Sequence, residues 1–241
     1  MLEKMEYKVL IIIPAFNEEK TVANVLLSLR QVVPDFDRVV VNDGSTDATA
    51  EIIRQLGEKQ VLLPCNLGYG RALQTGIKYA LIKAYDIVVS FDADGQHRPE
   101  DVPCLVDALL DGAADMVIGS RYCDGRPYSG PFNRKLGQIL FSYLTRWLIG
   151  FRVYDTSSGF KAFRANVCEE IVDRTFWDFH TETIVRLSLN DARIFEYPII
   201  VRERDYGRSM HSYMSIIEYP LKTLLLIVVA AMDGFLERRT K

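Results

Sequence analysis

Five short apolar runs fix what this chain can become. Val9 to Ile13, Val39 to Val41, Val61 to Leu63, Ile87 to Phe91 and Met116 to Gly119 are rich in β-branched residues and too short for helices. Between them, apolar residues recur at helical spacing: Val22, Val25, Leu26 and Leu29, then Ile52, Ile53 and Leu56, then Leu73, Ile77, Ala80 and Leu81. Strands alternating with helices at this interval predict an α/β fold with a mostly parallel, doubly wound sheet. Pro14 is expected to end the first strand. Asn17 is expected to cap the first helix, with Glu18 and Glu19 on its positively polarised first turn. Gly57 is expected to close the second helix, and Pro99-Glu100-Asp101 and Asp111-Gly112 to start and stop a later one.

The fourth run delivers Phe91-Asp92-Ala93-Asp94-Gly95-Gln96-His97. Ligands of open α/β sheets bind beyond the carboxyl ends of the strands, where this acidic cluster falls. In an extended segment Asp92 and Asp94 project to the same side. Two adjacent carboxylates repel, and a hard divalent cation, Mg²⁺ or Mn²⁺, relieves that repulsion. A cation held by so few carboxylates keeps positions open for substrate phosphates. A lone Asp-x-Asp is equally a solvated turn; the remaining segments carry the case for a site. Asn42-Asp43-Gly44-Ser45-Thr46-Asp47 follows the second strand. Asn66-Leu67-Gly68-Tyr69-Gly70 follows the third and offers backbone N–H groups to an anion.

After Arg121 the alternation breaks down. Residues 124–133 are rich in glycine and proline and read as a loop. Arg134 opens an amphipathic helix carrying Leu136, Ile139, Leu140, Tyr143, Leu144, Trp147 and Leu148, most of which are assigned to core packing. A polar turn, Asp155 to Gly159, precedes a short strand from Phe160 to Phe163. A helix near Glu182 to Leu189 and a strand around Ile194 to Val201 follow. Arg202, Arg204 and Arg208 then surround Gly207, as a solvated turn or a phosphate clamp.

The 241 residues are 49% hydrophobic and carry a net charge of −3, an ordinary globular balance that argues against nucleic acid as a partner. Cys65, Cys104, Cys123 and Cys168 show no Cys-x-x-Cys spacing and read as reduced thiols, with neither a zinc site nor a disulfide framework. No signal-peptide pattern precedes the first strand. Thr223 to Met232 is uncharged but about half the roughly 20 residues a spanning helix needs. It is either a buried helix or one lying at a membrane surface, with Arg238, Arg239 and Lys241 near anionic head groups.

Taken together, Pro14-Ala15-Phe16-Asn17-Glu18, the Asn42 to Asp47 and Asn66 to Gly70 segments, Asp92 to His97, Gly119-Ser120-Arg121-Tyr122 and Ser158-Gly159-Phe160 resemble the successive motifs of the inverting GT-A glycosyltransferases. Within them the chain is most similar to the dolichyl-phosphate mannose synthase and bacterial polyprenyl-phosphate glycosyltransferase family. The resemblance implies a Rossmann-like GT-A fold over residues 1–212, with 1–122 binding a nucleoside diphosphate sugar and 123–212 the acceptor. Residues 213–241 would form C-terminal amphipathic helices that dock on the cytoplasmic membrane face, on a small membrane protein or in a homo-oligomer. The implied activity is metal-dependent hexosyl transfer from a UDP- or GDP-sugar to a polyprenyl phosphate, giving a β-linked lipid phosphate sugar.

Residue by residue, the resemblance implies donor binding by Pro14, Ala15, Asn17, Glu18, Asp43, Gly44, Ser45, Asn66, Gly70, Asp92 and Ala93. Asp92, Asp94 and Gln96 would hold Mg²⁺ or Mn²⁺. Arg121, Arg134, Arg202, Arg204 and Ser209 would meet the acceptor phosphate. Asp94, Arg121 and Asp155 would form the reacting centre, with Asp155 orienting the acceptor or steadying positive charge on the sugar. His97 would stand behind the metal. The chain departs from the family pattern at Asn42, where an acid is usual, and at Met210, where a lysine is usual. Transfer to a saccharide hydroxyl and a silent nucleotide-sugar-binding subunit are the competing readings.

Overall fold

A computed structural model describes residues 7–111, 114–125, 132–172, 179–202, 224, 225, 227–229 and 232, with the backbone alone for 132–138. The strands are β1 (Val9–Ala15), β2 (Asp37–Asn42), β3 (Gln60–Leu62), β4 (Ile87–Ser90), β5 (Met116–Ser120), β6 (Lys161–Arg164) and β7 (Ile194–Pro198). The helices are α1 (Val22–Val32), α2 (Thr49–Gln55), α3 (Tyr69–Ile82), α4 (Asp101–Leu110), α5 (Phe132–Ile149), α6 (Ala165–Val172) and α7 (Thr181–Leu189). Among the described residues the strands form one sheet, in the order β3-β2-β1-β4-β6-β5-β7.

β1 is apolar throughout because both its faces are covered. Ile11 and Ile13 pack with Val25, Leu26 and Leu29 of α1 and Leu105 and Leu109 of α4. Leu10 and Ile12 turn the other way, onto Leu73 and Ile77 of α3 and Phe163 of β6. α3 comes close enough that a Cβ on Gly76 would stand 2.3 Å from Cγ2 of Ile12.

Every pairing in the sheet is parallel except those of β6, which runs antiparallel to both β4 and β5. The first residue of β6, Lys161, stands opposite the last of β4, Ser90. The approach to β6, residues 155–160, therefore arrives at the edge where β1, β2, β4 and β5 leave off.

Four local expectations are corrected. Pro14 does not end β1, which continues to Ala15 with Pro14 opposite Val41 and Ala15 opposite Asn42. Ile12 and Pro14 turn their peptide groups to the same side, and the ladder with β4 ends at Ile12 opposite Ser90. The missing proline N–H thus forfeits no ladder bond. Asn17 does not cap α1, which starts at Val22; it sits at φ +55°, a left-handed conformation asparagine tolerates. Asp92 and Asp94 do not share an extended segment, because β4 stops at Ser90 and the chain turns at Ala93-Asp94. The outer face of α5 is not core: Phe141, Leu144 and Leu148 pack with Val185 and Leu189 of α7 and with Ile227, while Leu140, Tyr143 and Trp147 are exposed. α6 had no counterpart in the reading of the sequence, its pattern being a single turn and a half of Val167, Cys168 and Ile171.

Of residues 213–241, those described (224, 225, 227–229 and 232) are helical. Among the described residues no helix is long and apolar enough to cross a membrane. All four cysteines are free.

Gly76→Ala should lower stability, because the methyl meets the stiff β-branched end of a fully buried isoleucine. Overpacking of this kind costs about 1–3 kcal/mol, against roughly 1 kcal/mol gained in helix propensity. Urea denaturation of the two proteins measures the difference.

Candidate active site

The segments that leave the carboxyl edge are tied to one another by side-chain to backbone hydrogen bonds. Asn17 Oδ1 accepts from the Thr46 N–H at 2.8 Å, and the Asn17 N–H donates to Ser45 Oγ at 3.0 Å. The Glu18 N–H donates to Thr49 Oγ1 at 2.9 Å, and Glu18 Oε2 accepts from the Thr21 hydroxyl at 2.8 Å. Asn42 is fully buried and uses Oδ1 to accept the Ser45 N–H at 2.9 Å.

Asp43, almost fully buried, accepts the N–H groups of Leu67 at 2.8 Å and Gly68 at 2.9 Å. This corrects the expectation that the glycine-rich loop offers these amides to a substrate anion: the protein's own carboxylate takes them. Gly44 is required here. It sits at φ +70°, and a Cβ would stand 2.5 Å from the carbonyl carbon of Cys65. Of the remaining donor-side residues, Pro14 and Ala15 lie in β1, Gly70 in the first turn of α3 and Asn66 on the surface before it.

Asp92 is partly buried. Its Oδ1 accepts from the Tyr69 hydroxyl at 3.1 Å and its Oδ2 lies 3.2 Å from Nε2 of His97. Burial pushes the Asp92 carboxyl up, but His97 and Tyr69 outweigh it and hold the group below the ordinary carboxylate range. His97 packs against both Phe91 and Phe160, which also meet each other edge to face. Gly159 presses on the same carboxylate: a Cβ there would stand 2.5 Å from Asp92 Oδ2 and 2.7 Å from the Tyr69 oxygen. Ala93 is buried beneath the turn. Asp94 accepts the Gln96 N–H at 3.0 Å, with Gly95 at φ +78° allowing the reversal. Gln96 is linked to the segment after β7: its carbonyl accepts the Arg202 N–H at 2.9 Å and its Nε2 donates to the Arg202 carbonyl at 3.3 Å.

The second cluster lies at the other end of the turn that carries Gly159. Asp155 is fully buried and grips Arg121 by two arms, Nε to Oδ2 and Nη2 to Oδ1, each 2.7 Å. Such paired bonds fix a guanidinium in plane. Nη2 also donates to Ser157 Oγ at 2.9 Å. Both oxygens of the Asp155 carboxylate are thereby committed to Arg121. The turn is held from below by Glu196 of β7, whose two oxygens accept the Tyr154 N–H at 2.7 Å and the Asp155 N–H at 2.8 Å. Burial raises the Glu196 carboxyl; those N–H groups and the Ser120 hydroxyl pull it down, and burial prevails.

Arg134 lies in α5, described there by its backbone alone, and Arg204 and Ser209 lie outside the described residues, as do Met210 and Arg208. Tyr69 and Ser157 lie inside segments the sequence marks out, the glycine-rich loop and the Asp155 to Gly159 turn, but are not among its candidate site residues. Glu196 is not among them either, and its local signal is an acid inside a strand.

The donor set of the Asp92–Gln96 turn fits a hard cation. It offers two carboxylates and an amide oxygen. Among the described residues no three His, Cys, Asp or Glu side chains gather into a cage. A set of this kind leaves coordination positions to phosphate oxygens.

The family model described as glycosyl transferase family 2 matches residues 10–172. An undecaprenyl-phosphate mannosyltransferase from Micrococcus luteus is 33% identical over 85% of this chain and 88% of its own. A polyprenol monophosphomannose synthase from Mycolicibacterium smegmatis is 30% identical over 89% and 85%. A UDP-N-acetylglucosamine–dolichyl-phosphate N-acetylglucosaminyltransferase from Methanococcus voltae is 31% identical over 86% and 89%. Among solved structures, glucosyl-3-phosphoglycerate synthase from Mycobacterium tuberculosis, in complex with Mn²⁺, UDP-glucose and phosphoglyceric acid, superposes with a TM-score of 0.70. It is 20% identical and covers 93% of this chain and 80% of its own, a likeness of fold.

Glu196→Gln should cost about 1–3 kcal/mol, because its amide nitrogen then faces a backbone N–H that loses its acceptor. Chemical denaturation at neutral pH reads the loss directly.

Proposed function

The chain belongs to glycosyl transferase family 2 and to its polyprenyl-phosphate branch, and from that premise we propose that it moves a sugar from a UDP- or GDP-sugar to a polyprenyl phosphate with inversion. The observation that carries this reading is Arg121, held in plane by Asp155 and Ser157 on the turn whose Gly159 abuts Asp92. One turn thus joins a cation-binding acidic loop to an oriented guanidinium, which is what bringing two phosphates together requires.

Asp92, Asp94 and Gln96 would hold the divalent cation, Mg²⁺ or Mn²⁺, against the donor diphosphate. When bound, the cation supplies charge neutralisation on the leaving group. Arg121 would orient the acceptor phosphate, with Arg134, Arg202, Arg204 and Ser209 from the second half of the chain. Glu18, Asp43 and the loops they fasten would hold the ribose and base. A lipid phosphate oxygen bonds to the anomeric carbon from the face opposite the diphosphate as the carbon–diphosphate bond breaks. An α-linked donor thus gives a β-linked product. The acceptor arrives ionised, so no general base is needed. The buried carboxylates agree with this, since Asp43 is committed to backbone amides and Asp155 to Arg121. A saccharide hydroxyl would need a base that neither provides.

Docking at the cytoplasmic membrane face has support on α5 as well as in residues 213–241. Residues 132–154 contain Arg134, Lys135, Arg146 and Arg152 and no acid, in a chain of net charge −3. Tyr143, Phe151 and Tyr154 are exposed there, and Trp147 is 79% exposed. The Arg152 guanidinium lies over Tyr154, 4.5 Å from the ring centre. Aromatic rings interleaved with arginines suit the head-group layer of an anionic bilayer. Tyr154 adjoins Asp155, so this surface would deliver the lipid phosphate next to Arg121.

Incubation with short-chain polyprenyl phosphate, Mg²⁺ or Mn²⁺ and a panel of UDP- and GDP-sugars should yield a sugar-phosphoryl-polyprenol by mass. Asp94→Ala should abolish it, and Asp155→Asn should slow it by about tenfold or more. Transfer to a free saccharide without lipid phosphate would overturn the reading. A Tyr143→Ser/Trp147→Ser double variant should lose about fivefold or more in co-sedimentation with phosphatidylglycerol vesicles while melting normally.

A further inference from the structure

Behind the acidic turn lies a buried pair of charged residues that none of the roles above uses. Lys161, 1% exposed at the start of β6, extends Nζ to the carbonyl oxygen of Phe179 at 2.9 Å. Glu182, 4% exposed in the first turn of α7, accepts the N–H of the same residue on Oε1 at 2.9 Å. Both backbone polar groups of one residue are thereby clasped by side chains. Phe179 needs the clasp: it sits at φ +62°, a left-handed conformation that a bulky side chain rarely adopts. Burying an ammonium and a carboxylate carries a large desolvation cost, and a core needing only volume here would do as well with apolar residues.

The clasp dictates where the next residue goes. The ring of His180 stacks on Tyr69 with centroids 5.4 Å apart and planes inclined by 19°. The Tyr69 hydroxyl donates to Asp92 Oδ1 at 3.1 Å and also meets the Gly159 carbonyl oxygen at 3.4 Å. The other end of the clasp returns to the same place. The Lys161 N–H donates to Ser90 Oγ at 3.1 Å, and Ser90 Oγ donates to the Gly159 carbonyl at 2.6 Å. Four elements, β4, β6, α3 and α7, thus close on one carboxylate.

We propose that Lys161 and Glu182 are positioning residues: by clasping Phe179 they hold His180 against Tyr69, and through the Tyr69 hydroxyl they set the orientation in which Asp92 meets its cation. The last step rests on the functional reading above; the clasp itself does not.

The chain has three histidines, so the ring protons of His180 are assignable in a ¹H–¹³C spectrum by comparison with His180→Leu. Stacking on Tyr69 should shift the His180 Hε1 resonance upfield. Lys161→Met should return it towards the free-histidine position. The same variant should weaken Mn²⁺ binding, read by electron paramagnetic resonance in the presence of UDP and of GDP, by fivefold or more. Lys161→Arg should restore both. Tyr69→Phe should keep the His180 ring stacked yet weaken Mn²⁺ binding to a similar degree, and it tests the chain of contacts even if Lys161→Met does not fold. An unmoved His180 resonance in folded Lys161→Met overturns the proposal, as does undiminished Mn²⁺ binding in Tyr69→Phe. A wild-type protein that holds Mn²⁺ with neither nucleotide overturns the functional reading and the proposal's reach to the cation together. The His180 resonance then still reports whether the clasp holds the ring.

Discussion

The site depends on one strand running the wrong way. β6 enters the sheet between β4 and β5, antiparallel to both. A parallel strand in that place would bring its preceding segment to the far edge. Because β6 is reversed, its approach, Asp155 to Phe160, reaches the edge where β4 and β5 release Asp92 and Arg121. The fit is close: Gly159 has no room for a Cβ against Asp92, and Gly119 in β5 has none against Phe160. Displacing β6 would separate the acidic turn from the arginine.

Most of the polar side chains at that edge are spent on the protein itself. Asp43 fastens the loop after β3, Asp155 fastens Arg121, and Glu196 fastens the turn that carries Asp155. Asp43 and Asp155 are buried and Glu196 half-buried; all three are satisfied by N–H donors, which is the condition under which interior carboxylates are tolerated. Arg121, nearer solvent, is thereby oriented in advance. Fixed dipoles and charges of this kind need little reorganisation when a substrate's charge develops.

The strand and helix order was legible through α4 because each element there carries its own periodic pattern, as in Val22, Val25, Leu26 and Leu29. The errors came where a tertiary partner decided a local choice. Pro14 stays in β1 because its peptide faces a ladder that has already ended. Asn17 leaves the helix because Thr46 offers its N–H. Trp147 and Tyr143 scan as part of an apolar helix face, yet α7 covers only the stripe of Phe141, Leu144 and Leu148. Periodicity reports that a helix has an apolar side and is silent on how much of it finds a neighbour.

The sequence by itself determined the alternating α/β architecture, the acidic cluster after the fourth strand and the family of the chain, since these reside in contiguous residues whose spacing is their meaning. The tertiary structure alone decided that Asp155 serves Arg121, that Asp43 occupies the amides of the glycine loop, and that Tyr69, His180 and Lys161 stand behind Asp92. Those contacts join residues far apart in the chain, Tyr69 to Asp92 across 23 positions and to Gly159 across 90. Their partners are chosen by the sheet order and the reversal of β6, and no local pattern of residues encodes either.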